Sequence, residues 1–109
     1  MMIKELKNVN LKLYSYKLDN GLNIYIVPKR DTNTKYVTFT TKFGSSILSF
    51  IPNGKDDYVT MPPGVAHFLE HKVFEEKNGI DPFTVFTNNG ADTNANTSND
   101  KTTYLFSGP

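Results

Sequence analysis

The stretch from Pro62 to Gly79 leaves the chain few choices. Pro62 and Pro63 suit the approach and first turn of a helix, and Asn78-Gly79 supplies a stop where the charged run Glu75-Glu76-Lys77 ends. Between these signals Val65, Ala66, Leu69 and Val73 fall within one arc of about 100° on a helical wheel. A helix over 64–77 is therefore expected, and the fold around it must offer an apolar surface to that stripe. His67, Glu70 and His71 project from roughly the opposite side, in the string His-x-x-Glu-His. The chain has no other histidine.

At 3.6 residues per turn His71 lies about 40° around from His67, and Glu70 about 60° to the other side. Two imidazoles and a carboxylate thus share one helix face. Neutral imidazole is a good zinc ligand, and a carboxylate held beside the ion can take a proton from water and pass it to a leaving amine. Shuffling this composition yields the string on the order of once in a thousand trials. For a lone histidine, capping, pairing with Glu70 or packing on Phe74 would be explanation enough. The pair with an intervening glutamate favours a metal site, with His67 and His71 as ligands and Glu70 as the catalytic base. Catalytic zinc usually takes three protein ligands, and this string supplies two. Asp81, Asp92 and Asp100 have no spacing that recommends any of them as the third. Manganese or cobalt would also suit such donors. Glu75 and Glu76 read as a solvated helix end.

Around the helix the pattern changes to that of strands. Residues 11–28 read as an antiparallel hairpin around Asp19-Asn20-Gly21, where Asn-Gly favours a tight primed turn. A third strand over 36–43 alternates Val37, Phe39, Thr41 and Phe43 with Tyr36, Thr38, Thr40 and Lys42, which implies one buried face. The segment 44–63 mixes Ser, Pro, Asn-Gly and Asp-Asp with isolated apolar residues and reads as a long, partly pinned loop. A short helix over 81–88 then leads into strands at 91–97 and 102–107, joined by a polar turn at Ser98-Asn-Asp100. This order predicts an α+β fold, a mainly antiparallel sheet with helices on one face, in a single piece without an internal linker. Stopping just after a strand implies that the next layer is absent. The chain is accordingly expected to be a truncated half-domain whose open sheet surface could pair with a second copy.

Composition narrows the partners. A formal charge of +1 offers no electrostatic case for nucleic acid or an anionic membrane. With no cysteine, disulfides and thiolate metal sites are excluded. The start Met1-Met-Ile-Lys-Glu-Leu-Lys has no apolar core of signal-peptide length, and no run approaches the ~18 residues a membrane helix needs. A soluble, cytoplasmic protein is expected.

The string His-x-x-Glu-His is the inverzincin signature, and the residues around it extend the likeness. Leu18-Asp-Asn-Gly-Leu22, Phe43-Gly-Ser45, Gly64-Val-Ala-His-Phe-Leu-Glu-His71 with Phe74, and Gly90-Ala-Asp-Thr-Asn-Ala-Asn-Thr97 followed by Thr103-Tyr104 span nearly the whole chain. Together they resemble the N-terminal part of the insulinase, pitrilysin and mitochondrial-processing-peptidase family of zinc metallopeptidases, in its bacterial branch. Glu75-Glu76 departs from the Gly-Thr found there in many relatives. The resemblance implies a zinc endopeptidase with His67 and His71 on the metal and Glu70 as base. It implies a third ligand, a glutamate on a later helix beyond this chain, and a second homologous half or partner chain that encloses the peptide or protein substrate. It also implies that Asn94 and Ala95 lie on a strand that hydrogen-bonds the substrate backbone. On this reading the fragment alone is inactive. The alternative is a non-catalytic partner subunit, or a peptide-binding module, of the same fold.

Overall fold

The computed structural model describes residues 1–75 and 79–109. The single piece expected from sequence divides into two compact units, Met1–Asn33 and Thr34–Pro109.

The first unit is a three-stranded antiparallel sheet. Strands β1 (Met2–Leu6), β2 (Leu11–Lys17) and β3 (Asn23–Ile26) lie in the order β1-β2-β3. No strand was expected at β1, whose five residues include the charged pair Lys4 and Glu5. Pairing with β2 makes it a strand, with Glu5 opposite Lys12. The chain reverses between them through a 3-10 turn over Lys7–Val9 and Asn10, which takes φ 52°. The β2–β3 turn is not the primed type expected, which requires positive φ at the first central residue or at both, here Asp19 and Asn20. Only Gly21 in this turn has positive φ (87°), and its N–H donates to Leu18 O at 2.9 Å. The Leu18 N–H then reaches Leu22 O at 2.8 Å, so the loop is longer and Gly21 supplies the left-handed corner.

The second unit carries the helices. Strand β4 (Lys35–Thr41) is followed by a short ribbon, β5 (Ser49–Phe50) and β6 (Val59–Thr60), then α1 (Val65–Val73), α2 (Pro82–Asn88), β7 (Asp92–Thr97) and β8 (Thr102–Gly108). The sheet order is β4-β8-β7, antiparallel throughout. Register places Val37, Phe39 and Thr41 of β4 level with Phe106, Tyr104 and Thr102 of β8, which in turn face Thr93, Ala95 and Thr97 of β7. This face carries both helices. Phe74 stacks on Phe83 (ring centroids 4.6 Å) and on Tyr104 (5.7 Å), while Phe86 meets Phe106 at 5.9 Å. The fold class is the α+β arrangement expected, mainly antiparallel with helices on one face.

The segment 44–63 is pinned at both ends. Met61 N–H donates to Leu48 O at 2.7 Å beside the β5–β6 ribbon, and Phe43 sets its ring edge-on to Phe50 at 5.5 Å. Phe43 has already left β4, which ends at Thr41 and not at 43. The reason lies at Gly44, where a Cβ would collide with the backbone of Ser98, Asn99 and Lys101. There Ser45 and Ser46 N–H donate to Ser98 and Asn99 carbonyls, both at 2.9 Å, so the strand exits into the β7–β8 turn.

Helix α1 is shorter than the 64–77 expected. Gly64, at φ 90°, is its N-cap, so both prolines precede the helix and neither enters its first turn. At the other end Phe74 is the C-cap, its N–H turned back to the carbonyls of His71 and Lys72. Residues 76–77 of the expected helix, and Asn78 of the expected stop, lie outside the described residues. The apolar stripe also differs. Ala66 is 4% exposed, but Leu69 and Val73 are 47% and 59% exposed along an open groove of about 490 Å³ between helix and sheet. The side of α1 that sinks deepest runs through Ala66 and Glu70. A small residue allows close approach there, and a polar partner on the sheet makes room for a carboxylate.

Candidate metal centre

Both histidines stand on the exposed side of α1, one turn apart. Their Nε2 atoms approach to 3.1 Å, with ring centroids 4.8 Å apart and planes tilted by 48°. Two ligands on a tetrahedral zinc with Zn–N near 2.05 Å are separated by about 3.3 Å, so the imidazoles already sit at the spacing a shared ion requires. His67, Glu70 and His71 are the one group of three metal-ligating side chains found among the described residues, with ligand atoms all within 4.8 Å of one another. The donor set fits zinc.

Glu70 differs from its neighbours in being buried, at 9% exposure. Thr97 Oγ1, from the end of β7, donates a hydrogen bond to its Oε2. Thr102, directly opposite Thr97 in register, is 3% exposed and donates to Phe43 O at 2.8 Å. Tyr104 lies on the same sheet face. Its hydroxyl is held above the ordinary tyrosine range, first by burial and then by the negative charge of Glu70. Phe74, which the helical wheel set near the histidines, packs on Phe83 and Tyr104 instead.

The three aspartates without a supporting spacing include two with local tasks. Asp81 caps α2, accepting from Phe83 N–H at 2.9 Å and Thr84 Oγ1 at 3.3 Å, and Asp100 accepts from Ser98 Oγ at 3.1 Å in the β7–β8 turn. Asn94 and Ala95 lie on β7, which has β8 as its one neighbour among the described residues. Ala95 is on the helix-bearing face two residues from Thr97, about 7 Å along the strand. Asn94 is exposed on the other face, and its Oδ1 accepts the Ala95 N–H at 2.8 Å. Thr97 and Thr102 were missed by reasoning from sequence. Alternation could have put Thr97 on the Ala95 face, but nothing local indicates that Glu70 lies over it.

Residues 32–109 match the model of the insulinase family, peptidase family M16. The chain belongs to this family. Over 108 residues it is 48% identical to a protein of Bacillus subtilis (strain 168) described as the uncharacterized zinc protease YmfH, covering 97% of this chain and 25% of that protein. It also superposes on the crystal structure of a protein from Alicyclobacillus acidocaldarius described as an M16-like peptidase. That match has a TM-score of 0.78 and 38% identity, over 90% of this chain and 22% of the other. The chain therefore spans about a quarter of the length of the M16 proteins it matches. The family match begins at residue 32, within the last two residues of the first unit, whereas the likeness to the Bacillus protein takes in nearly the whole chain.

Proposed function

We propose that this chain is the metal-binding part of a zinc-dependent endopeptidase, with His67 and His71 as two ligands and Glu70 as general base. The observation that carries this reading is the pair of Nε2 atoms 3.1 Å apart beside a buried carboxylate. The family, and the relative described as a zinc protease, support it. Zinc, when bound, would polarise a scissile carbonyl and acidify water. Glu70 takes the proton of the attacking water and returns it to the leaving amine, a task that needs its carboxylate close to the histidine nitrogens, and the ligand atoms of the three residues lie within 4.8 Å of one another. The open edge of β7 receives the peptide as an added strand. There Asn94 and Ala95 meet its backbone, after the Asn94 side chain gives up the Ala95 N–H. A third ligand comes from a carboxylate outside these 109 residues, so the segment binds the ion but does not turn over alone.

Calorimetric titration of the chain with zinc, beside His71→Ala, tests this. One equivalent should bind, and the variant should lose affinity by more than about 100-fold, beyond what loss of an outer-shell group costs. If the variant bound zinc as well as the unaltered chain, the site would be wrong. A non-catalytic subunit would then be the better account.

A further inference from the structure

Glu70 is a buried carboxylate on a helix whose other charged and polar groups face out, and its hydrogen bond comes from a strand 27 residues later. Resting on the reading of Glu70 as base, we infer that Thr97 is a positioning residue that sets the carboxylate's orientation.

Each hydroxyl has one proton to donate. Phe43 O is a carbonyl and can only accept, so the Thr102 proton is committed to it at 2.8 Å. Thr97 and Thr102 oxygens are 3.4 Å apart, and Thr102 has no proton left to offer across that gap. The Thr97 proton is accordingly free for Glu70 Oε2, and an ionised carboxylate can only accept it. Donation therefore runs one way, from sheet to helix. Thr97 is itself fixed by the β7–β8 register opposite Thr102. The buried donor meets the cost of bringing a carboxylate under the helix, and no buried polar side-chain atom among the described residues lacks a partner. With Oε2 tied to the sheet, Oε1 is the oxygen presented to water. A valine at position 97 would keep the β-branched shape and strand preference but remove the donor. A serine would keep the donor.

The test uses the whole 109-residue chain with 13C-labelled glutamate side chains, the Glu70 carboxyl resonance being assigned by its disappearance in Glu70→Gln. Thr97→Val should displace that resonance, and Thr97→Ser should leave it near its original position. Zinc affinity should stay within about twofold in both, because Thr97 touches neither histidine. A Glu70 resonance unmoved by Thr97→Val, or moved as far by Thr97→Ser, overturns the proposal. Should Thr97→Val fail to fold, as judged by its amide spectrum, the reciprocal measurement decides. The Thr97 β-carbon resonance must move in Glu70→Gln, and an unmoved resonance overturns the proposal. Absence of zinc binding by the unaltered chain would instead count against the metal reading and leave the Thr97 contact standing.

Discussion

The two sides of α1 are built by different means. On the outer side, His67 and His71 are exposed and meet each other, and their 3.1 Å approach follows from a spacing of four residues on one helix. On the inner side, Glu70 is buried and its partner is Thr97, brought over by the β7–β8 hairpin. A metal-ligand pair can be local because a helical turn sets the distance. A buried charge cannot be local, since it needs a donor that comes from another element. Damage to the outer side should therefore remove the metal, and the chemistry with it, while leaving the fold intact. Damage to the inner side should spread to chemistry and stability.

The largest expected effect separates the two sides directly. On the proposed reading, in a form of the protein as long as its M16 relatives, Glu70→Gln should reduce peptide hydrolysis by about 10²–10⁴-fold with zinc content unchanged. His67→Ala should lose both, as read by metal analysis beside a peptide assay. Equal loss of zinc in the two variants would erase the contrast. Next in size is Thr102→Val, which leaves the Phe43 carbonyl unpaired behind the site. It should lower the urea-unfolding free energy of the chain by about 1–3 kcal/mol and leave zinc stoichiometry unaltered.

Titration of Tyr104 tests the inner side in another way. Its folded pKa is raised above the ordinary 10.0, so the folded state holds the phenol proton to higher pH than the unfolded chain does. That contribution to stability is fully present below about pH 10 and is lost as pH rises through the folded value. Ultraviolet titration should find Tyr104 ionising above the ordinary tyrosine range, and Glu70→Gln should bring it part of the way back. A Tyr104 transition at the ordinary position would mean that the inner face is wetter than its packing implies. The smallest effect belongs to Lys72→Ala on the exposed rim. The Lys72–Glu75 ion pair, 2.5 Å but solvent-facing, should cost less than about 0.5 kcal/mol in thermal or urea unfolding.

How much of this could be read beforehand follows the same division. The hairpin at 11–28, the strands near 36–43, 91–97 and 102–107, and the two helices announce themselves through periodicity and Gly, Pro and Asn punctuation, and the structure places elements at each. The strand β1 was hidden because Lys4 and Glu5 interrupt its pattern, and it exists through pairing with β2. The ribbon β5–β6 was hidden because two residues per strand have no periodicity. The close pass of Gly44 against Ser98 and Lys101 depends on backbone atoms more than fifty residues apart, which no local signal reports. The break between the two units at Asn33 and Thr34 falls at the end of the polar run 28–34, which reads equally as an ordinary loop between two strands.

By itself the amino-acid sequence determined the α+β character, the helix that bears the histidines and the spacing that aims them at one point, because each rests on interactions within a few residues. Tertiary structure alone decided which side of that helix is buried. Leu69 and Val73 are the more apolar residues, yet Ala66 and Glu70 sink deepest, because the sheet meets the helix at its smallest side chain and offers the Thr97 hydroxyl to its carboxylate. Burial of a charge depends on the donor waiting for it, and that donor is set by strand register.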